Sequence, residues 1–326
     1  MKLGVIGSGN IVREFLPRFR QVNIAICALL STPRSLEAAK KMGEQYDIKT
    51  VTSSFEEFVN SDIDTVYVGV PNYMHYSYCK DCMELGLHVI CEKPLCSNYR
   101  EAKALAELAE EKGVFLFEAI TTIHHPNYHK IREWLPRIGK IRIVQSQYTQ
   151  YSSRYDAFKA GEVLPAFDPE KSGGAIMDIG LYCLYFIIGL FGKPESYSYH
   201  PNIERGVDTS GIMIMDYPDF EAFMICAKDT KGTTTSLIQG DKGCIRMVWP
   251  PNVMGEVTLE LNDGTVESFN ELTPLERMIP ELEAFKKAIE EKDYAFRDEC
   301  MKEALDVAMV QSEARIKAGV IFAADK

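Results

Sequence analysis

Over the first 120 residues, short apolar runs alternate with amphipathic stretches. Runs at 2–6, 23–30, 65–70, 88–91 and 114–118 have the length and near-continuous apolar character of buried strands. Between them, 10–20, 35–46, 74–86 and 98–112 carry apolar residues at helical spacing, with Asn98 placed to cap the last. Repeated strand–helix–strand units predict a doubly wound parallel sheet with right-handed crossovers.

Past residue 120 the period changes. After His124-His125-Pro126 a helical pattern runs to 135, and 140–150 alternates as a strand does. Ser172-Gly173-Gly174 leads into an apolar helix over 175–190. Alternating runs follow at 194–200, 209–216, 220–227, 232–239, 243–248, 256–261 and 265–269, bounded by turn signals such as Asp241-Lys242-Gly243 and Asn262-Asp263-Gly264. Helices over 279–291 and 299–318 close the chain. This pattern predicts an α+β domain built on a large, mostly antiparallel open sheet with helices on one face. Ile212, Ile214, Phe223 and Ile225 give the other face an apolar character. Pairing with a second copy would cover it, so a homodimer or homotetramer through the C-terminal sheet is expected.

With 326 residues, two domains are the prior. A net charge of −11 argues against nucleic acid or an anionic membrane as partner. No apolar run is expected to span a bilayer, and the N-terminus shows no signal-peptide core. Nine cysteines scattered through apolar segments read as reduced, core-filling thiols of a cytoplasmic protein. Cys79 and Cys82 form a CxxC without a second ligand pair, so they read as two helix residues one turn apart, and no metal is expected.

The chemistry begins at Gly7-Ser8-Gly9-Asn10-Ile11-Val12, between a strand and a helix, where a dinucleotide fingerprint belongs. Gly7 permits the tight turn, and Gly9 lets a pyrophosphate approach the backbone at the helix opened by Asn10 and Ile11. Val12 at the third small position departs from the fingerprint and would set the helix slightly further from the strand. This makes 1–120 a dinucleotide-binding (Rossmann) domain and 121–326 a substrate-binding and oligomerisation domain, with the last helices free to pack back on the first. The second strand ends in Ser31-Thr32-Pro33-Arg34, without the acid that bonds the ribose of NAD. Two hydroxyls and a guanidinium suit a 2′-phosphate, which favours NADP over NAD; Thr32 can also cap a helix begun by Pro33. Pro71, Asn72 and His75 follow another strand at the ligand-binding edge, where Asn72 can cap the next helix and His75 can lie beside a nicotinamide. At 89–95 an apolar run enters Glu92-Lys93-Pro94, placing a base at a strand end that opens on a cleft; the plainer alternative is a surface ion pair closing the strand. Asp178 and Tyr182, four apart, share one helix face; the plainer alternative makes Tyr182 a core aromatic tied to Asp178.

Taken together, Gly7–Asn10, Pro71-Asn72 with His75, Gly86 through Leu95, Phe117-Glu118-Ala119, His125-Pro126 and Ser172 through Tyr182 resemble the Gfo/Idh/MocA oxidoreductases over nearly the whole chain. The family commonly carries His where Tyr182 stands. The tyrosine version resembles the branch of dimeric dihydrodiol dehydrogenase and glucose-fructose oxidoreductase, whose members use NADP. The resemblance implies that Tyr182 is the acid/base, Lys93 its electrostatic partner and ligand of the substrate oxygen, and Asp178 the orienter of substrate and Lys93. Glu92 and Pro94 would position Lys93, with a cis Lys93–Pro94 bond as is common in the family. Residues 118–126 depart from the pattern: Thr122 replaces a tyrosine and Ile123 an arginine, so no named sugar transfers. Glu118, Thr122, Arg154, Tyr155 and Phe167 are candidate substrate contacts. The expected activity is NADP-dependent hydride transfer with a sugar, polyol or diol. The alternatives are a NAD-linked inositol or sugar dehydrogenase and a non-catalytic NADP-binding sensor or scaffold.

Overall fold

The computed structural model describes residues 1–326. The chain divides into two compact units, Met1–Ala119 with Met278–Ala304, and Ile120–Arg277 with Leu305–Lys326. The segment from Met278 to Ala304 thus belongs with the first 119 residues rather than with the span 121–326.

The first unit holds six parallel strands: β1 (Lys2–Ile6), β2 (Ala25–Leu30), β3 (Thr50–Thr52), β4 (Thr65–Val68), β5 (His88–Glu92) and β6 (Leu116–Ala119). Their order is β3-β2-β1-β4-β5-β6, the doubly wound arrangement whose direction switches between β1 and β4. β3 and the short helix Phe55–Val59 escape the hydrophobic pattern, because three to five residues hold too little of either period. The helix Ile279–Glu291 completes this unit's core: Leu282 and Phe285 are fully buried, and the Phe285 ring stacks on Phe117 at 4.5 Å. Asn98 accepts from the Glu101 N–H and caps the helix Tyr99–Lys112.

The second unit is organised by an eight-stranded sheet. Its strands are β7 (Ile141–Thr149), β8 (Ser196–Glu204), β9 (Val207–Asp216), β10 (Glu221–Ala227), β11 (Thr235–Gly240), β12 (Gly243–Met247), β13 (Val257–Leu261) and β14 (Val266–Phe269). The order is β14-β13-β12-β11-β7-β10-β9-β8, antiparallel throughout except between β7 and β10. One face carries the buried residues that pack with the helix Leu181–Phe191. On the other, Ile143, Ile212 and Ile214 are exposed, and Phe223 and Ile225 lie across from Ile214 and Ile212. The helical run Pro169–Phe191 corrects one expectation, since it is long and apolar enough to cross a membrane by length and composition. Its most apolar window is 72% buried within the protein, as befits a core helix.

Candidate active site

In the first unit the glycine turn sits at the switch between β1 and β4. Gly7 has φ +115, and a Cβ there would meet the Gly69 carbonyl oxygen at 2.3 Å. Gly69 answers the departure at Val12: a Cβ on Gly69 would meet Val12 Cγ2 at 2.7 Å. The small residue that the fingerprint places on the helix is here on the neighbouring strand end. Gly9 caps the helix Asn10–Gln21, and nothing lies within 4 Å of where its Cβ would be. The helix has no acidic residue in its first turn and no side-chain cap, so its N–H groups fit a pyrophosphate. The Ser8 and Ser31 hydroxyls pair at 2.8 Å, tying this turn to the end of β2. Beyond, Thr32 and Arg34 are exposed, Thr32 makes no side-chain cap, and Arg34 makes no ion pair. These donors fit a phosphorylated ribose.

Glu92 ends β5, between β4 and β6. Its carboxylate is 6% exposed and takes hydrogen bonds from the Tyr67 hydroxyl at 2.5 Å and the Lys93 N–H at 3.2 Å. Burial pushes its pKa up to about 7, against the pull of Tyr67 and Lys93. The Lys93–Pro94 bond is cis. His75 is fully buried, with Nδ1 2.7 Å from the Pro94 carbonyl and Nε2 2.9 Å from that of Val70. Both nitrogens are thus engaged by backbone. Burial lowers its pKa, although two carbonyl acceptors favour the doubly protonated ring. Asn72 does not cap the following helix, which starts at His75 behind Met74 with no side-chain cap. Glu118 is buried on β6 and accepts the Leu95 N–H at 3.0 Å. It steadies the chain after Pro94.

In the second unit Asp178 lies in a π-helical turn, Ile176–Gly180, that runs into the helix Leu181–Phe191 with Tyr182 in its first turn. The hydrophobic pattern predicts plain α-helix here; wide turns of this kind collect at functional sites. Asp208 on β9 holds the start of this turn. Its Oδ2 accepts from the Ile176 N–H at 2.7 Å and from the Tyr199 hydroxyl at 2.7 Å, and burial raises its pKa to about 6. Gly174, at φ +135, makes the approach possible, since a Cβ there would lie 2.1 Å from Asp208 Oδ1.

Asp178 Oδ2 pairs with Lys228 Nζ at 2.9 Å. Sequence reasoning passed over Lys228, although Ile225-Cys226-Ala227-Lys228 repeats the pattern of an apolar strand ending in a base. Three candidate contacts prove structural. Thr122 is fully buried and donates to the Pro251 carbonyl at 2.9 Å. Tyr155 and Phe167 join Phe158 and Val207 in a small core, with the Tyr155 hydroxyl donating to Glu204 at 2.8 Å. Arg154, ahead of the helix Tyr155–Lys159, remains exposed. Burial drops the pKa values of His124 and His125 to about 3 and about 4, and His125 Nδ1 caps the helix Pro126–Trp134 by accepting the Asn127 N–H.

Residues 1–120 match the oxidoreductase family with an NAD-binding Rossmann fold, and residues 128–246 match the GFO/IDH/MocA C-terminal domain. A scyllo-inositol 2-dehydrogenase (NADP(+)), IolU of Bacillus subtilis, is 33% identical over 329 residues, covering 100% of this chain and 99% of its own. The chain belongs to the Gfo/Idh/MocA oxidoreductases. The trans-1,2-dihydrobenzene-1,2-diol dehydrogenase of Bos taurus is 28% identical over 77% of this chain and 75% of its own. Among solved structures, the 3-ketoreductase KijD10 of Actinomadura kijaniata, held with NADP and TDP-benzene, matches with a TM-score of 0.84 at 22% identity, covering 98% of this chain and 97% of its own. This last likeness is one of fold. As a member of this family, the chain is a sugar- or polyol-dehydrogenase-type oxidoreductase with an NAD(P)-binding fold.

Proposed function

We propose that this oxidoreductase uses NADP and exchanges hydride with a secondary alcohol, or its carbonyl, in a polyol, sugar or diol. The observation that carries the cofactor is the end of β2, where Ser31, Thr32 and an unpaired Arg34 stand without a carboxylate. Similarity over the full length to an NADP(+)-dependent scyllo-inositol dehydrogenase supports the same reading. The nicotinamide, when bound, accepts or supplies the hydride. Gly7, Gly9, Asn10 and Ile11 hold the pyrophosphate end. Tyr182 takes the hydroxyl proton on oxidation and returns it on reduction. A phenol with a pKa of about 10 needs a cation to favour its phenolate, and the family pattern gives that part to Lys93. Asp178 accepts a hydrogen bond from the substrate. The protein works in the cytoplasm as a homodimer through the exposed face of the second unit's sheet.

The deciding experiment measures turnover on a panel of inositols, sugars and diols with NADP and NAD, alongside the affinity of each cofactor for Arg34→Ala. The proposal expects turnover with NADP and an NADP-selective loss of affinity of about tenfold or more in the variant, on the scale of a charge-assisted phosphate contact. Tighter NAD binding would overturn the cofactor assignment. Bound NADP without turnover on any substrate would favour a sensor.

A further inference from the structure

We propose that Lys228 is a positioning residue of the reaction, clamping the Asp178 carboxylate in the orientation that receives the substrate. The inference rests on the dehydrogenase reading above. Lysines are rarely buried without a purpose that repays desolvation, and Lys228 is only 3% exposed. Its backbone is fixed from two sides directly after β10: its N–H donates to the Thr209 carbonyl and its carbonyl accepts the Ser152 N–H, both at 2.8 Å. From this rigid base the side chain meets three groups. The ammonium donates to the Ala166 carbonyl at 2.9 Å, lies 4.6 Å from the Phe167 ring centre, and pairs with Asp178 Oδ2 at 2.9 Å. The carbonyl and the ring hold the cation where it is, and the carboxylate is the member that reaches outward: the Asp178 side chain is 38% exposed.

That asymmetry separates a clamp from a fold-holding ion pair. An ion pair set wholly in the core shields both charges from water, whereas this one shields only the cation. Here a buried cation fixes one oxygen of a carboxylate that remains partly open to solvent, in a π-turn of the kind that collects at functional sites. Lys228 also links the loop through Ala166 and Phe167 to the turn that carries Asp178. Asp208, packed at the start of the same turn, lies within the field of the Lys228 charge. Without the ammonium, two carboxylates would share this region with less to hold them apart.

The test compares Lys228→Met, Lys228→Arg, Asp178→Asn and the Lys228→Met/Asp178→Asn double variant, after circular dichroism establishes folding. A clamp predicts that Lys228→Met lowers kcat/KM about 10- to 100-fold, mainly through KM. NADPH affinity stays within twofold, and Lys228→Arg recovers part of the loss. In the double variant the loss does not exceed that of Asp178→Asn alone, because the two residues act as one unit. Should Lys228→Met not fold, Lys228→Gln removes the charge while keeping donors and serves in its place. A lowered melting temperature with kcat/KM within twofold of the parent, or losses that multiply in the double variant, would overturn the clamp. No turnover by the parent protein on the whole panel would instead overturn the dehydrogenase reading, and this inference with it.

Discussion

At the scale of the residue, the two groups of the proposed proton transfer are separable from nucleotide binding. Tyr182→Phe and Lys93→Met should each lower kcat by about two orders of magnitude, the usual scale for a proton-transfer group, while NADPH titration shows affinity retained. Glu92 gives a pH prediction. Its pKa is raised from 4.5 to about 7 by burial. The stability held by the protonated form is therefore fully present below pH 4.5 and lost as pH rises through 7. At about 1.36 kcal/mol per unit, ionising it costs on the order of 3 kcal/mol. Across that window the melting temperature of the parent should fall relative to that of Glu92→Gln, in which Asp208 and the histidines still titrate. Lys93, Asp178 and Tyr182 stand out in the sequence because each is a polar residue that interrupts an apolar pattern. Lys228 offered the same signal and was passed over, one residue beyond the strand-like run 220–227. Tyr155 and Phe167 misled for the opposite reason: an aromatic in a loop reads as a contact until the loop proves to have a core of its own.

At the scale of the element, period alone placed most strands and helices to within a few residues, including the helix Ile279–Glu291 end to end. What it could not place depends on partners distant in sequence. The π-turn at Ile176–Gly180 shares its composition with an α-helix, and the carboxylate that seats it comes from Asp208, thirty residues on. Gly69 compensates Val12 across two strands, a relation visible only once β1 and β4 are neighbours. Gly174→Ala tests the seat. A methyl 2.1 Å from Asp208 Oδ1, on a residue at φ +135, forces the carboxylate off the Ile176 N–H. The expected loss is on the order of 2–4 kcal/mol, read by chemical denaturation. Turnover should fall with it, since Asp178 and Tyr182 ride on the displaced turn.

At the scale of the whole molecule, the alternation that marked Ile212, Ile214, Phe223 and Ile225 described a real surface: Ile212 and Ile214 are 45% and 44% exposed on the outer face of the second sheet. Ile214→Lys with Phe223→Lys puts two charges on opposed residues of β9 and β10. Light scattering should then show the mass of the assembly reduced to that of a single chain; a parent protein already monomeric would refute the dimer. The first unit carries a different lesson, about time. Its sheet is complete by Ala119, yet the Phe285 that stacks on Phe117, with Leu282 beside it, is translated only after the 158 residues 120–277. At about 5–20 residues per second, the ribosome delivers that interval over roughly ten seconds or more. For that long, the nascent nucleotide unit lacks the aromatic cover of Phe117. Its order of maturation therefore runs against its order of synthesis, and a nascent chain stalled near residue 277 should expose a chaperone-binding patch that the finished chain hides.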